Sequence, residues 1–282
     1  MAGQSCGRPG GRDRGGKPRI TVTIEPLRYF TEAIAGDCFA VESMVPKGSS
    51  PEMYDPSPRQ LVALSRSKAY FRVGYVDFEQ VWMERLAENA PDMQVFDLSE
   101  GVPLIRATEP HGHHGSGVEP HIWMSAENAL AISANIAAAL CRLDAVHAPF
   151  YRHRLDSLSQ VIRGTDAAIR GMLAAAPRSF MIYHPALSYF ARDYGLRQYA
   201  LEESGKEPSP SYLKDLADVC RREDIRVVFV QPEFDVRNAR VVAEEAKARL
   251  VQVNPLAYDW RQEMLSVARA LQEAGIRNEK KE

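Results

Sequence analysis

The stretch PFYRHRLDSLSQVIRGTDAAIRGMLAAA, residues 149–176, decides how the rest of the chain is organised. Its pattern predicts a single helix that, at 1.5 Å per residue, is roughly 40 Å long. Such a helix is long for the interior of a compact α/β unit. Gly164 and Gly171 weaken it by only about 1 kcal/mol each relative to alanine. The helix is therefore expected to divide the chain into two parts.

On both sides of this helix, strand patterns alternate with helical patterns. The strand patterns are RITVTI, CFAVESMV, AYFRVG and MQVFDLS before it, and SFMIYH, RQYALEE, RVVFVQ and RLVQV after it. Such alternation is typical of parallel sheets covered by helices. The sequence therefore predicts an α/β protein with two Rossmann-like lobes that have parallel sheets and are joined by one long rigid helix. The predicted divisions are a tail (1–18), an N-terminal lobe (19–146), the linking helix (147–176) and a C-terminal lobe (177–282).

The first 18 residues, MAGQSCGRPGGRDRGGKP, are rich in Gly and Arg and contain almost no apolar residue, which predicts a disordered tail. Two interpretations of Cys6 stay open, the lipidated cysteine of a bacterial lipoprotein and an ordinary free thiol. No apolar region of a classical signal peptide is visible, and no run of about 18 apolar residues predicts a transmembrane helix. With a net charge of −2, the chain as a whole has no attraction for nucleic acid.

Several polar side chains lie where the predicted strands end. Ligands of open α/β sheets bind outside the carboxyl ends of the strands, and in a two-lobed protein those ends can face each other across a cleft. His184 ends SFMIYH, and His121 follows MQVFDLS. Glu52 lies in the loop after CFAVESMV, whereas Gln231 and Asn254 follow the last two strands. These residues are the candidates for a site in the cleft between the lobes.

Two imidazoles and one carboxylate in a cleft would form a competent site for a divalent metal ion. Zn²⁺ takes nitrogen and oxygen ligands, usually four in a tetrahedron, whereas Mn²⁺ or Fe²⁺ tolerates more oxygen. The alternative interpretation is structural, because a histidine at a strand end is often packed or capped and Glu52 can simply be solvated. The case for a metal site therefore rests on the joint placement of these side chains.

Six segments of the chain resemble, in the same order, the solute-binding component of bacterial metal-uptake ABC transporters, the zinc and manganese binding-protein family. They are MVPKGSSPEMYDPSP, EPHIWMSAENAL, FMIYHPALSYFARDYGLRQYALE, GKEPSPSYLKDL, VVFVQPEFD and VNPLAYDW. The resemblance extends from Arg19 to the C-terminal helix. It implies two α/β lobes bridged by one long helix, the architecture that the alternation also predicts.

The resemblance also implies a set of metal ligands. His121 and His184 match the family's second and third ligands in type. The first ligand is normally a histidine, and Glu52 occupies its position; the fourth is normally an aspartate, and Asn254 occupies its position. A carboxylate is a good zinc ligand. A neutral amide is a weaker one, so Asn254 is expected to bind weakly or through a water molecule.

The segment EPHGHHGSGVEP precedes His121, where zinc-type members of the family carry a mobile loop rich in histidine. His111, His113 and His114 are therefore candidate accessory ligands, the alternative being a solvated loop without a metal role. The loop favours Zn²⁺ as the bound metal ion, with Mn²⁺ or Fe²⁺ as the alternative.

The resemblance implies a monomeric periplasmic binding protein, anchored to the membrane if Cys6 is lipidated, that delivers its metal to the permease of an ABC transporter. It implies that the protein is not an enzyme. Two other hypotheses stay open at this point. A metal-dependent hydrolase can use a similar open site, although the sequence shows no HExxH motif and no Ser–His–Asp arrangement. A periplasmic metal buffer would need no transporter.

Overall fold

The computed structural model describes residues 16–106, 117–202 and 208–276. In these ranges it confirms the predicted alternation of eight strands and nine α-helices. The strands are β1 (Arg19–Val22), β2 (Ala40–Ser43), β3 (Ser67–Arg72), β4 (Gln94–Asp97), β5 (Ser179–Ile182), β6 (Arg197–Ala200), β7 (Val227–Val230) and β8 (Arg249–Gln252). The helices are α1 (Glu25–Ala35), α2 (Pro58–Leu64), α3 (Asp77–Asn89), α4 (Ala126–Leu143), α5 (Ala148–Leu173), α6 (Ser188–Tyr194), α7 (Pro210–Arg222), α8 (Val236–Ala246) and α9 (Trp260–Ile276).

The strands form two parallel sheets with the same topology. The first has the order β2-β1-β3-β4 and the second has the order β6-β5-β7-β8. In each sheet the chain moves outward to one side, then crosses over the first strand and continues on the other side. The strand order therefore reverses between β1 and β3, and again between β5 and β7. In open α/β sheets, such a switch point is where ligands bind, at the carboxyl ends of the strands.

The chain divides into two compact units, one made of Met1–Val102 and Leu130–Val161, the other of Pro103–Ala129 and Ile162–Glu282. Each unit contains one of the two sheets. The segment with His121 is thereby grouped with the second unit, as is His184. The lobe boundaries that the sequence suggested stay a prediction.

The long helix predicted from the sequence is confirmed as α5, a continuous helix of 26 residues. Its buried side chains recur every three to seven residues, which gives the helix an apolar stripe. The apolar ones are Ala148, Tyr151, Leu158, Ile162, Ile169 and Leu173, and Thr165 is also buried. The helix ends at Leu173, earlier than predicted, and the chain turns there ahead of Pro177, a residue that disfavours helical backbone in its predecessor.

Unit 2 has an apolar core on both sides of its sheet. Every residue of β5 and of β7 is buried, as expected for the central strands of a parallel sheet covered by helices. Within the described ranges, no helix is both long enough and apolar enough to cross a membrane.

The switch point of the first sheet is filled by the side chain of Glu79, from α3. Its carboxylate accepts hydrogen bonds from Thr23 Oγ1 after β1 (2.5 Å) and from the backbone N–H groups of Val73 (2.7 Å) and Gly74 (2.6 Å) after β3. Burial raises the pKa of Glu79 to about 7, although these hydrogen bonds and the charge of Arg72 act in the opposite direction.

Replacing Gly74 tests how closely this strand end is packed. Its φ is +117°, and an added Cβ would lie 2.7 Å from Ser99 Oγ and 3.0 Å from Asp97 Oδ1. We expect Gly74→Ala to lower the free energy of unfolding by about 2 kcal/mol, because both the backbone conformation and the space exclude a side chain. Urea unfolding followed by circular dichroism measures this change.

Gly164→Ala is the matched control. Gly164 lies inside α5, and a Cβ there would meet no heavy atom within 4 Å. We expect this variant to be more stable than the wild type by roughly 0.5–1 kcal/mol, the difference in helix propensity. Equal effects of the two substitutions would contradict the described packing at Gly74.

The raised pKa of Glu79 predicts a specific pH dependence of stability. Folded protein keeps the Glu79 proton up to about pH 7, whereas unfolded chains release it near the ordinary value of 4.5. The folded state therefore binds more protons between these values, and stability should fall with rising pH by up to ~3 kcal/mol. In Glu79→Gln this fall should be absent from urea unfolding measured between pH 4.5 and 7.5; an unchanged pH profile would contradict the assignment.

Candidate metal centre

His184 lies at the switch point of the second sheet, two residues beyond the end of β5. Gln231, the first residue after β7, forms hydrogen bonds with both backbone polar groups of His184. The His184 N–H donates to Gln231 Oε1 (3.3 Å), and Gln231 Nε2 donates to the His184 carbonyl (2.7 Å). Both residues are buried. The imidazole thus extends from a backbone position that two neighbouring strands determine.

Glu202 orients the ring of His184. It follows β6, the neighbour of β5 on the other side, and its Oε1 lies 3.0 Å from His184 Nδ1. Both side chains are only 7% exposed. When a carboxylate accepts the Nδ1 proton of a neutral imidazole, the lone pair of the ring lies on Nε2.

His121 has the same kind of support from Glu119. Glu119 Oε1 lies 2.5 Å from His121 Nδ1 and also accepts the His121 backbone N–H (3.2 Å). Its second oxygen accepts a hydrogen bond from Ser188 Oγ in α6 (3.1 Å). His121 directly precedes a short 3₁₀ turn, Ile122–Met124, whose residues are buried. The second imidazole therefore also has Nδ1 engaged by a carboxylate and Nε2 as its donor atom.

The two histidines lie together within the second unit. Their ring centroids are 5.1 Å apart, with the planes inclined at 64°, and one ring nitrogen of each lies within 4.8 Å of the other. Each residue is 5% exposed. Trp123 packs beside His121 (5.1 Å between ring centroids), and Phe234 stacks on His184 (5.7 Å, 19°). The pair is held in an aromatic surrounding that limits access of water.

The base of the histidine-rich segment is attached to this centre. Arg106 and Val118 form an isolated antiparallel bridge. The Tyr189 hydroxyl accepts the Ile105 N–H (3.1 Å) and donates to the Glu119 carbonyl (2.9 Å). The segment therefore leaves and re-enters the described fold beside the carboxylate that holds His121. His111, His113 and His114 lie outside the described residues, as does Cys6, and their roles stay predictions.

Asn254 occupies a turn rather than an open position. Its Oδ1 accepts the Leu256 N–H (3.1 Å), and its own N–H donates to the carboxylate of Glu263 (2.7 Å). The turn is tied to the 3₁₀ turn after His121, because Trp123 Nε1 donates to the Pro255 carbonyl (2.8 Å). This geometry favours a structural use of the Asn254 amide oxygen. Its predicted role as a weak or water-mediated ligand remains untested.

Glu52 lies in the loop after β2, in the first unit, and is half-buried. Its backbone N–H donates to Ser50 Oγ (3.2 Å). The neighbouring Pro51 carbonyl accepts the Phe78 N–H at the start of α3 (3.0 Å). The structure thus places Glu52 after the carboxyl end of its strand, as expected. Its role as a ligand beside the two histidines stays a prediction.

Sequence reasoning missed the two supporting carboxylates. Glu119 was visible two residues before His121, and Glu202 was visible at the end of the strand pattern RQYALEE. The signal that could have found Glu202 is the sheet order, because a strand-end carboxylate next to a strand-end histidine is a common support for a metal ligand.

Comparisons with known proteins agree with this arrangement. A family model described as "Zinc-uptake complex component A periplasmic" matches residues 20–274. The crystal structure of ZnuA has a TM-score of 0.86 and 32% sequence identity, and the match covers 92% of this chain and 99% of that chain.

Two curated relatives are named for other metals. The iron-binding protein YfeA of Yersinia pestis is 28% identical over 242 residues, which are 84% of this chain and 76% of that protein. The manganese ABC transporter substrate-binding lipoprotein PsaA of Streptococcus mitis is 27% identical over 243 residues, which are 82% of this chain and 77% of that protein.

The match over most of the chain confirms the resemblance, and it rules out the hydrolase hypothesis because the members are binding proteins and not enzymes. The chain belongs to the zinc-uptake component A family, the metal-binding substrate-binding proteins of ABC transporters.

Proposed function

We propose that this protein binds Zn²⁺ through His121, His184 and Glu52 and delivers it to the permease of an ABC transporter. The observation that supports the histidine ligands is their pairing, with ring centroids 5.1 Å apart and each Nδ1 engaged by a carboxylate. Buried imidazoles that present Nε2 side by side are suited to a shared cation. Two histidines that only packed in the core would not need both Nε2 atoms oriented in this way.

Glu52 supplies the negative charge in the proposed donor set. Two neutral imidazoles leave the charge of a divalent ion uncompensated, whereas one carboxylate ligand reduces it and binds Zn²⁺ at about 2.0–2.2 Å. The support for Glu52 is its position after β2 and the family resemblance of its loop. With Asn254 engaged in a turn, a water molecule completes the proposed tetrahedron.

Two nitrogens and one oxygen favour zinc over the harder alternatives. Imidazole suits Zn²⁺, whereas Mn²⁺ prefers oxygen-rich sites. The predicted accessory histidines, His111, His113 and His114, also favour zinc. Mn²⁺ or Fe²⁺ is the second candidate, because relatives of similar identity are named for manganese and for iron, and one carboxylate with an open position is compatible with either.

The proposed place of action is the outer side of the cytoplasmic membrane. The family model is described as periplasmic, and relatives such as FimA of Streptococcus parasanguinis are named as lipoproteins of metal ABC transporters. We propose a monomer that docks on the permease; anchoring through Cys6 remains one of two open interpretations. A metal buffer without a transporter is disfavoured by this family membership.

Titration calorimetry with Zn²⁺, Mn²⁺ and anaerobic Fe²⁺ tests the choice of metal on the purified chain. We expect one ion per chain and the tightest binding for Zn²⁺. Tighter binding of Mn²⁺ or Fe²⁺ in competition would replace zinc with that metal. Absence of tight binding for all three would reject the proposal.

His121→Ala and His184→Ala test the paired ligands. Each should weaken Zn²⁺ binding by more than about 100-fold, the upper end of what loss of a supporting hydrogen-bond partner costs a metal site. His153→Ala is the matched control, since His153 is exposed on α5, and it should bind like the wild type. Deletion of residues 112–117 should also leave high-affinity binding largely intact. A loss on that deletion, with retention in His184→Ala, would contradict the assignment.

Glu202→Gln tests the support of His184. The substitution preserves the size of the side chain and a hydrogen-bond acceptor but removes the charge that makes the imidazole more basic. We expect Zn²⁺ affinity to fall by about 10-fold, the lower end of the range for such partners. Glu244→Gln, on the exposed face of α8, is the control and should have no effect. Competition with a chromophoric zinc chelator measures both variants.

A further inference from the structure

Glu79 is a buried carboxylate that the proposed metal site does not use. It is 2% exposed. It connects three elements of the first unit, because it belongs to α3 and binds Thr23 after β1 and the Val73–Gly74 peptide groups after β3. Gln80, its neighbour in α3, adds a bond from Nε2 to the Gly74 carbonyl (3.0 Å). The start of α3 is therefore fixed to the sheet at its switch point.

The same first turns of α3 hold the loop that contains Glu52. Three contacts flank Glu52 on both sides in the sequence. They are Phe78 N to the Pro51 carbonyl (3.0 Å), the Phe78 ring to the Tyr54 ring (5.9 Å) and Trp82 Nε1 to Asp55 Oδ1 (3.3 Å). The position of this loop depends on α3, and the position of the α3 start depends on Glu79.

We propose that Glu79 is a positioning residue for the metal ligand Glu52, and that the hydrogen bonds to its carboxyl group hold α3 and the Glu52 loop in place. This inference rests on the proposed ligand role of Glu52. An ionised carboxylate can accept all three hydrogen bonds that the structure shows. A glutamine at this position would replace one accepting oxygen with an NH₂ group that faces the Val73 or the Gly74 N–H, so at least one backbone hydrogen bond would be lost.

Two further titratable or charged groups lie near Glu79. Tyr70 on β3 lies next to Thr23, with its hydroxyl 3.0 Å from Thr23 Oγ1. Arg72, also on β3, is the nearby cation, but it is paired with Asp97 on β4 at 2.5 Å. Burial raises the pKa of Glu79 to about 7. The folded protein therefore favours the protonated side chain, and a modest fall in pH does not loosen α3.

A double-mutant cycle between Glu79 and Glu52 tests the proposal. Zn²⁺ affinity is measured at pH 8 for the wild-type full chain, Glu79→Gln, Glu52→Ala and the double variant. We expect Glu79→Gln to weaken binding about 10-fold, as for other supporting partners, and to have almost no further effect once Glu52 is absent. Thr23→Val, which removes one hydrogen bond to Glu79, should act in the same direction and provides a second variant if Glu79→Gln folds poorly.

The cycle separates positioning from a general structural role. Positioning predicts a loss only in proteins that carry Glu52, whereas a general structural role weakens binding whether or not Glu52 is present. An equal loss with and without Glu52 would overturn the proposal. If Glu52→Ala alone leaves affinity unchanged, the ligand role of Glu52 fails instead, and the inference fails with it.

Discussion

A neutral imidazole has one lone pair available for a metal, and the hydrogen bond at its other nitrogen decides where that lone pair lies. In this protein two glutamates form that hydrogen bond, the half-buried Glu119 at His121 and the buried Glu202 at His184. Both engage Nδ1 as the donor to the carboxylate and so direct the lone pair of the neutral ring to Nε2. Without them, each ring could turn or change tautomer, and the 5.1 Å approach of the rings would not define a donor pair.

The parallel sheet of the second unit supplies this arrangement from three adjacent strands. The order β6-β5-β7 places the end of β5 between the ends of its two neighbours. Glu202, after β6, binds the imidazole of His184, whereas Gln231, after β7, binds the backbone of His184. One histidine is therefore fixed at both its backbone and its imidazole by residues that are distant in the sequence. The strand order thereby determines the orientation of His184 Nε2.

Much of this could be predicted from the sequence, and the exceptions have physical reasons. Strand and helix patterns are local, so all eight strands and nine helices of the described ranges followed from periodicity. The strand-end rule and the family resemblance both selected His121 and His184, and their role as metal ligands stays a prediction. The support by Glu202 did not, because it depends on β6 pairing with β5, a non-local choice. The buried position of Glu79 could not be predicted either. A glutamate in the first turn of a helix is usually solvated, and Glu79 is buried only by the tertiary structure.

The two switch points show opposite uses of the same position in equivalent sheets. Between β5 and β7 lies His184, a side chain that is stable when buried and neutral and still offers a lone pair to a cation. Between β1 and β3 lies Glu79, whose charge is costly to bury and is accommodated by three hydrogen bonds and a raised pKa. A carboxylate saturated by protein donors is poorly suited to bind metal and well suited to fix a helix. The first unit therefore uses its switch point to hold the start of α3, which contacts the loop after β2 that contains the proposed ligand Glu52.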